Sequence, residues 1–265
     1  GVMKTQANGI SFNCRIDGPE GAPWLMLSNS LATNLTMWNH QTTVLSEHYR
    51  VLRYDQRGHG ETDAPIGDYD FDLLADDAAA LMQAHDIDAC HFLGLSMGGM
   101  TAMGLGLNYP ERLLSVIICN SRADATQEFY DIFDERIALA LAEGMAPLVE
   151  TTVARWFTEE LRAAAPAFLA DVREMVRTTP PEGYAGCARA VQHVDYMARL
   201  GRIDKPVLLI AGAQDRVAPA DGMRAMQAAI SGAQYIELDP ASHLSNLEQP
   251  EAFAAALQEF LAAQR

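Results

Sequence analysis

Gly94-Leu95-Ser96-Met97-Gly98 constrains this chain more than any other stretch, because of what stands on each side of it. Ala89-Cys90-His91-Phe92-Leu93 before it is short and apolar enough to be a buried strand. After it, Met100, Met103 and Leu107 recur at helical spacing, and Tyr109-Pro110 closes the segment. A serine between glycines at such a junction predicts a tight strand-to-helix turn. The turn holds Ser96 in a strained backbone conformation, and the glycines remove side chains that would collide there. It lifts the hydroxyl out of the sheet, beside a helix N-terminus whose free N–H groups favour developing negative charge. The bare pattern arises by chance in about one chain in ten of this length, so its weight depends on partners elsewhere. A membrane span competes for residues 89–109, which hold no Asp, Glu, Lys or Arg. His91, Ser96, Asn108 and repeated glycines interrupt that run, and a buried strand and helix fit it better.

The rest of the chain supplies a scaffold for such a turn. Strand-like runs stand at 10–17, 24–28, 50–54, 90–94, 115–119, 207–211 and 235–238, with helical patterns at 36–47, 71–85, 98–108, 221–230 and 250–263. This alternation predicts an α/β fold, a mostly parallel sheet covered on both faces, with an antiparallel start around Gly18-Pro19-Glu20-Gly21. Gly99, Gly104 and Gly106 each cost the helix after the turn about 1 kcal/mol of propensity, which points to its backbone packing close to the sheet. From about Arg122 to Arg202 no strand-like run appears. Phe129, Phe133, Ile137 and Leu141 form an i,i+4 stripe there, and Pro147, Pro166 and Pro180-Pro181 divide the segment into four short helices. The expected organisation is a core of residues 1–121 and 202–265, interrupted by a helical lid at 122–201. With 265 residues, 49% of them hydrophobic, the chain can bury a large core.

A serine hydroxyl is a poor nucleophile at neutral pH; it needs a base, and the base needs an orienting acid. Val207-Leu208-Leu209-Ile210-Ala211 runs into Gly212-Ala213-Gln214-Asp215, and Tyr235-Ile236-Glu237-Leu238 runs into Asp239-Pro240-Ala241-Ser242-His243. Loops at the carboxyl ends of parallel strands face one crevice, so Ser96, Asp215 and His243 are the expected catalytic set. Asp239 and Asp221 compete as acids, whereas Asn120, after the fifth run, cannot serve as the anion. His40, His48, His85 and His91 read as structural, and His193 as a surface residue. The backbone N–H groups of Met97 and Leu31, the latter in Asn29-Ser30-Leu31-Ala32, are the expected oxyanion donors. Asp55-Gln56-Arg57-Gly58-His59-Gly60 reads as a structural turn. No metal-ligand cluster, phosphate loop or dinucleotide fingerprint competes, so neither metal nor cofactor is expected. A net charge of −16 argues against nucleic acid and anionic membranes as partners, and an anionic substrate would need a local Arg or Lys. Cys14, Cys90, Cys119 and Cys187 are widely spaced and read as buried, reduced thiols. The first residues lack the layout of an export signal, so a cytoplasmic protein is expected.

With these residues in place, the chain resembles the α/β-hydrolase superfamily and, within it, the 3-oxoadipate enol-lactonases of aromatic-compound breakdown (the β-ketoadipate pathway). Arg57-Gly58-His59-Gly60, the serine turn, the Gly-x-x-Asp ending at Asp215, and His243 carry the wider resemblance. Leu27-Ser28-Asn29-Ser30-Leu31, Met37-Trp38, Arg155-Trp156-Phe157-Thr158, Thr179-Pro180-Pro181-Glu182-Gly183-Tyr184 and the run from His243 to Pro250 are similar to the lactonases. The resemblance implies an α/β-hydrolase fold, with an eight-stranded, mostly parallel sheet, flanking helices and an inserted lid. It also implies a cofactor-independent serine esterase or lactonase acting on a small lactone or ester. Trp156, Asn120, Arg122 and Arg155 are its candidate substrate contacts, with Arg136 and Arg189 as further sources of a cation. Two departures matter: Ala32 stands where the lactonases carry Gly, and Ser121-Arg122-Ala123-Asp124-Ala125 replaces an expected small-residue run ending in Arg. A general carboxylesterase, a cofactor-free perhydrolase or haloperoxidase-like enzyme, and a ligand-binding signal protein on the same fold remain open alternatives. Oligomeric state is not legible.

Overall fold

The computed structural model describes residues 1–264 and centres on one eight-stranded sheet. In chain order its strands are β1 (Val2–Ala7), β2 (Ile10–Asp17), β3 (Trp24–Ser28), β4 (Arg50–Tyr54), β5 (Cys90–Leu95), β6 (Leu113–Cys119), β7 (Val207–Gly212) and β8 (Gln234–Leu238). Their spatial order is β1-β2-β4-β3-β5-β6-β7-β8. The pairs β1–β2 and β2–β4 are antiparallel and all later pairs are parallel, as the short turns early in the sequence suggest. Every residue of β5 and β7 is buried, which requires cover on both faces of the sheet. β1 escapes the sequence pattern. It is an edge strand, VMKTQA, whose only buried residue is Thr5, and its place depends on pairing with β2 rather than on an apolar face.

The helices of the core are α1 (Asn39–Leu45), α2 (Phe71–Ala84) and α3 (Met97–Asn108), followed later by the C-terminal helices. The predicted helix at 36–47 is divided: a 3₁₀ turn at Leu35–Trp38, capped by the Asn34 side chain on the Thr36 N–H, precedes α1. Between β6 and β7 lie five α-helices rather than four: α4 (Gln127–Glu143), α5 (Val149–Trp156), α6 (Glu159–Ala164), α7 (Phe168–Thr178) and α8 (Pro181–Gln192). The Thr126 and Thr158 hydroxyls cap α4 and α6, accepting the N–H of Phe129 and Leu161. The predicted stripe ends one step early. Phe129, Phe133 and Ile137 are buried, but Leu141 is 59% exposed and Ala140 takes its place. Each i,i+4 step drifts by about 40° around the helix, so three steps carry the fourth residue off the buried face. The fold closes with α9 (Ala220–Ala229), the short α10 (Ser245–Glu248) and α11 (Pro250–Ala262).

The glycines of α3 do allow close approach, though not all to the sheet. A Cβ on Gly99 would fall 3.1 Å from the Ile118 side chain of β6, whereas those on Gly104 and Gly106 would meet Tyr196 Oη at 2.9 Å and the Ile203 side chain at 3.2 Å, off the sheet. All four cysteines are buried and free. No helix among the described residues is long and apolar enough to cross a membrane.

The insertion is tied to the core where α8 crosses the turn after β4. A Cβ on Gly183 would sit 1.9 Å from the Gly58 carbonyl oxygen. Alanine is favoured over glycine inside a helix by about 1 kcal/mol, but forced overpacking costs about 1–3 kcal/mol. Gly183→Ala is therefore expected to lower the urea-unfolding free energy by up to about 2 kcal/mol. A stabilised variant would mean that the crossing is loose.

Candidate active site

Three loops converge at the carboxyl ends of β5, β7 and β8. Ser96 lies between β5 and α3 at φ 57°, ψ −112°, outside the regions that L-residues favour. The flanking glycines make this possible, since a Cβ on Gly94 would lie 2.0 Å from the Gly98 carbonyl oxygen. Hydrogen bonds secure the turn from both sides. The Ser96 N–H donates to the Cys119 carbonyl (2.8 Å), and the Ser96 carbonyl accepts from the Ser121 hydroxyl (2.7 Å) and the Met100 N–H (3.1 Å).

His243, in the loop after β8, lies with Nε2 2.9 Å from Ser96 Oγ and Nδ1 2.9 Å from Asp215 Oδ2. Asp215, in the loop after β7, is held by its other oxygen, which accepts the N–H groups of Val217 (2.9 Å) and Ala218 (3.0 Å). The three side chains expected to work together are thus brought together, with Asp215 and His243 shielded from solvent. The arrangement can take a proton from the serine hydroxyl and stabilise the resulting imidazolium. The Leu31 and Met97 N–H groups have no hydrogen-bond partner among the described residues, and Leu31 lines the pocket over Ser96. Ala32, the departure from the lactonase pattern, has φ 63°, a conformation that glycine adopts without strain.

A pocket opens over Ser96, roofed by α4, α5 and α8. Arg122, Arg155 and Trp156 line it, as the resemblance implies, and so do Phe129, Phe133 and Arg136. Phe129, Phe133 and Arg136 occupy i, i+4 and i+7 of α4; the sequence shows the first two only as a stripe of the helical lid and names Arg136 as a further source of a cation. Arg122 stacks on Phe129, 4.0 Å from the ring centre, and donates to the Asp124 and Val217 carbonyls. Arg136 donates to Tyr184 Oη, Thr151 Oγ1 and Thr152 Oγ1. Arg155 lies 5.9 Å from the centre of the Phe133 ring. None of the three forms an ion pair with a carboxylate among the described residues. Burial lowers the pKa of Arg122 and of Arg155, and the neighbouring Arg136 charge lowers that of Arg155 further. A bound anion would relieve both effects.

Two candidate contacts fall elsewhere. Arg189 is committed to Asp134 and Gln192 and does not line the pocket. Asn120 also does not line it: its amide donates to Asp215 Oδ2 (3.2 Å) and the Ser242 carbonyl (2.9 Å), and its carbonyl accepts from Ser245 Oγ (2.6 Å). Its position after β6 faces the Asp215 loop rather than the pocket. Trp156 has a second link that sequence spacing could not reveal, because its carbonyl accepts the His243 N–H at 2.9 Å. No group of three or more His, Cys, Asp or Glu side chains among the described residues could hold a metal ion.

The profile of the alpha/beta hydrolase fold family matches residues 23–250. A 3-oxoadipate enol-lactonase of Acinetobacter baylyi is 37% identical over 252 residues, covering 95% of this chain and 93% of its own length. The crystal structure of an enol-lactonase from Burkholderia xenovorans superposes with a TM-score of 0.95 at 39% identity, covering 98% of this chain and 100% of the other. A hydrolase from Pseudomonas aeruginosa superposes with a TM-score of 0.94 at 39% identity, covering 98% of each chain.

Glu248, which the sequence does not single out, supports the His243 loop by accepting the Ser242 N–H at 2.9 Å. Burial, with a smaller contribution from Asp215, pushes its carboxyl up from 4.5 to about 7, against the opposing effect of that hydrogen bond. Between those values the folded chain holds a proton that the unfolded chain has released, so stability falls as pH rises from 4.5 to about 7. Glu248→Gln removes this slope. Thermal unfolding should match the parent below about pH 4.5 and give a Tm higher by about 2–4 °C above pH 7, a gain limited by solvent screening at this half-buried group.

Proposed function

The chain belongs to the α/β-hydrolase fold family, and from that premise we propose that it is a serine hydrolase opening a small lactone or ester that carries a carboxylate. An enol-lactone acid such as 3-oxoadipate enol-lactone is the first choice of substrate. The observation that carries this reading is the hydrogen-bonded chain Ser96–His243–Asp215 lying beneath a pocket whose arginines lack acidic partners.

Ser96 Oγ attacks the acyl carbon while His243 Nε2 takes its proton, and Asp215 keeps the imidazole oriented and stabilises its charge. The negative charge on the acyl oxygen falls on the Leu31 and Met97 N–H groups, the latter at the N-terminus of α3. On collapse the ring C–O bond breaks, and His243 returns the proton to the departing enol oxygen. A water molecule, deprotonated by His243, then attacks the acyl-enzyme; the acyl carbon–Oγ bond breaks, His243 returns the proton to Ser96 Oγ, and the carboxylic acid leaves and ionises. Residues 122–201 act as a lid, with Trp156 and the Phe129–Phe133 edge enclosing the apolar part of the substrate. Arg155 and Arg136 receive its carboxylate. The similarity to enol-lactonases supports a role in aromatic-compound catabolism, and four free thiols agree with a cytoplasmic site of action.

Ser96→Ala is expected to lower kcat by at least about 10⁴-fold with an unchanged circular-dichroism spectrum. Turnover near the parent rate would sink the mechanism. Arg155→Met should raise KM for the carboxylated enol-lactone by about 10–100-fold, the range for a lost hydrogen bond to a charged group, and leave p-nitrophenyl acetate hydrolysis almost unaltered. Equal effects on the two substrates would favour a general esterase.

A further inference from the structure

The turn after β4 grips the loop that carries Leu31. Asp55 Oδ1 accepts the Leu35 N–H at 2.8 Å. Gln56 Nε2 donates to the carbonyls of Asn29 (2.8 Å) and Ser30 (3.2 Å). His59 Nε2 accepts the Ala32 N–H at 2.9 Å. These contacts hold the backbone on both sides of Leu31 while its own N–H stays unpartnered among the described residues.

His59 is suited to this position by its protonation state. A ring nitrogen that accepts an N–H must carry its lone pair, so the proton resides on Nδ1, which donates to the Arg57 carbonyl (3.2 Å). The Cys187 thiol, 3.8 Å from Nδ1, donates to the same carbonyl. The side chain is fully buried, and burial lowers its pKa from 6.5 to about 4, so the imidazole is neutral at physiological pH. Its partner Ala32 is the residue with the left-handed backbone, whose N–H direction differs from that of an extended residue.

We propose that His59 is a positioning residue for the oxyanion site: by holding the Ala32 N–H, it aims the adjacent Leu31 N–H at the oxygen of the tetrahedral intermediate. The proposal rests on the reading of Ser96 as nucleophile. It assigns the conspicuous Arg57-Gly58-His59-Gly60 motif a part in transition-state stabilisation, exerted through the loop and without contact to the substrate.

The full chain carrying His59→Leu or His59→Gln is assayed with p-nitrophenyl acetate, with competent sites counted by fluorophosphonate titration. Per titrated site, His59→Leu should lower kcat by about 10–100-fold, below the 10²–10³-fold typical of deleting an oxyanion donor outright. KM should stay within about two-fold. Inhibition by phenylboronic acid, which binds serine as a tetrahedral anion, should weaken by a factor similar to the loss in kcat. His59→Gln keeps an acceptor near the place of Nε2 and should recover most of both. An unchanged kcat per site in His59→Leu overturns the proposal, because a role confined to folding would reduce only the number of sites. If His59→Leu does not fold, His59→Asn takes its place: it can donate to the Arg57 carbonyl but lacks an acceptor at Nε2. The same loss supports the proposal, and parental kcat per site overturns it. A parent protein that takes up no fluorophosphonate at Ser96 overturns the Ser96 reading itself, and the proposal with it.

Discussion

The backbone of Ser96 sits at φ 57°, ψ −112°, a conformation that costs an L-residue about 1–3 kcal/mol and persists only where its surroundings leave no alternative. Those surroundings are specific. Gly94 lies against the Gly98 carbonyl, Gly98 lies against Ser28, and the Ser96 amide and carbonyl are tied to Cys119 and Ser121 on the neighbouring strand and its loop. Relaxation of the turn would point the hydroxyl back toward the sheet and draw Met97 away from the start of α3. The position of the nucleophile candidate and that of one candidate oxyanion donor therefore depend on the same strained peptide.

The remaining parts of the site are arranged around that fixed point. Asp215 and His243 come from separate loops, and their alignment depends on a network that neither loop forms alone. Asn120 bridges Asp215 to the Ser242 carbonyl, Glu248 accepts the Ser242 N–H, and the Trp156 carbonyl accepts the His243 N–H. The last of these bonds belongs to the insertion, so the helices above the pocket also help to hold the imidazole in place. Gly183 of α8 meanwhile crosses Gly58 in the turn that grips the Leu31 loop. The insertion thus touches both the His243 loop and the turn that grips the Leu31 loop.

What could be read in the chain and what could not divide along a physical line. Ser96 and Asp215 were legible because each follows a wholly buried, apolar strand, and His243 because its loop follows the shorter alternating run Tyr235-Ile236-Glu237-Leu238. The glycine pattern of the turn is likewise a local steric signal. β1 was not legible, since an edge strand with one buried residue carries almost no hydrophobic signal. Asn120 was misread as a pocket residue because sequence order shows that it follows β6 and does not show which way its amide turns. Among the arginines, the resemblance to enol-lactonases could name Arg122, Arg136, Arg155 and Arg189 as sources of a cation. Which of them reach the pocket depends on helix rotation and on competing acids, and Asp134 draws Arg189 away. The grip of Gln56 and His59 on the Leu31 loop links positions more than twenty residues apart and leaves no periodic trace.

The central claim is that this convergence makes Ser96 the one activated hydroxyl of the chain. Its most direct test is mass spectrometry of the intact and proteolysed protein after exposure to a fluorophosphonate. The account predicts one adduct per chain, located on the peptide containing Gly94–Gly98 and assigned to Ser96 by fragmentation. An adduct on another residue, or an unmodified protein under conditions that label a known serine hydrolase, would contradict it.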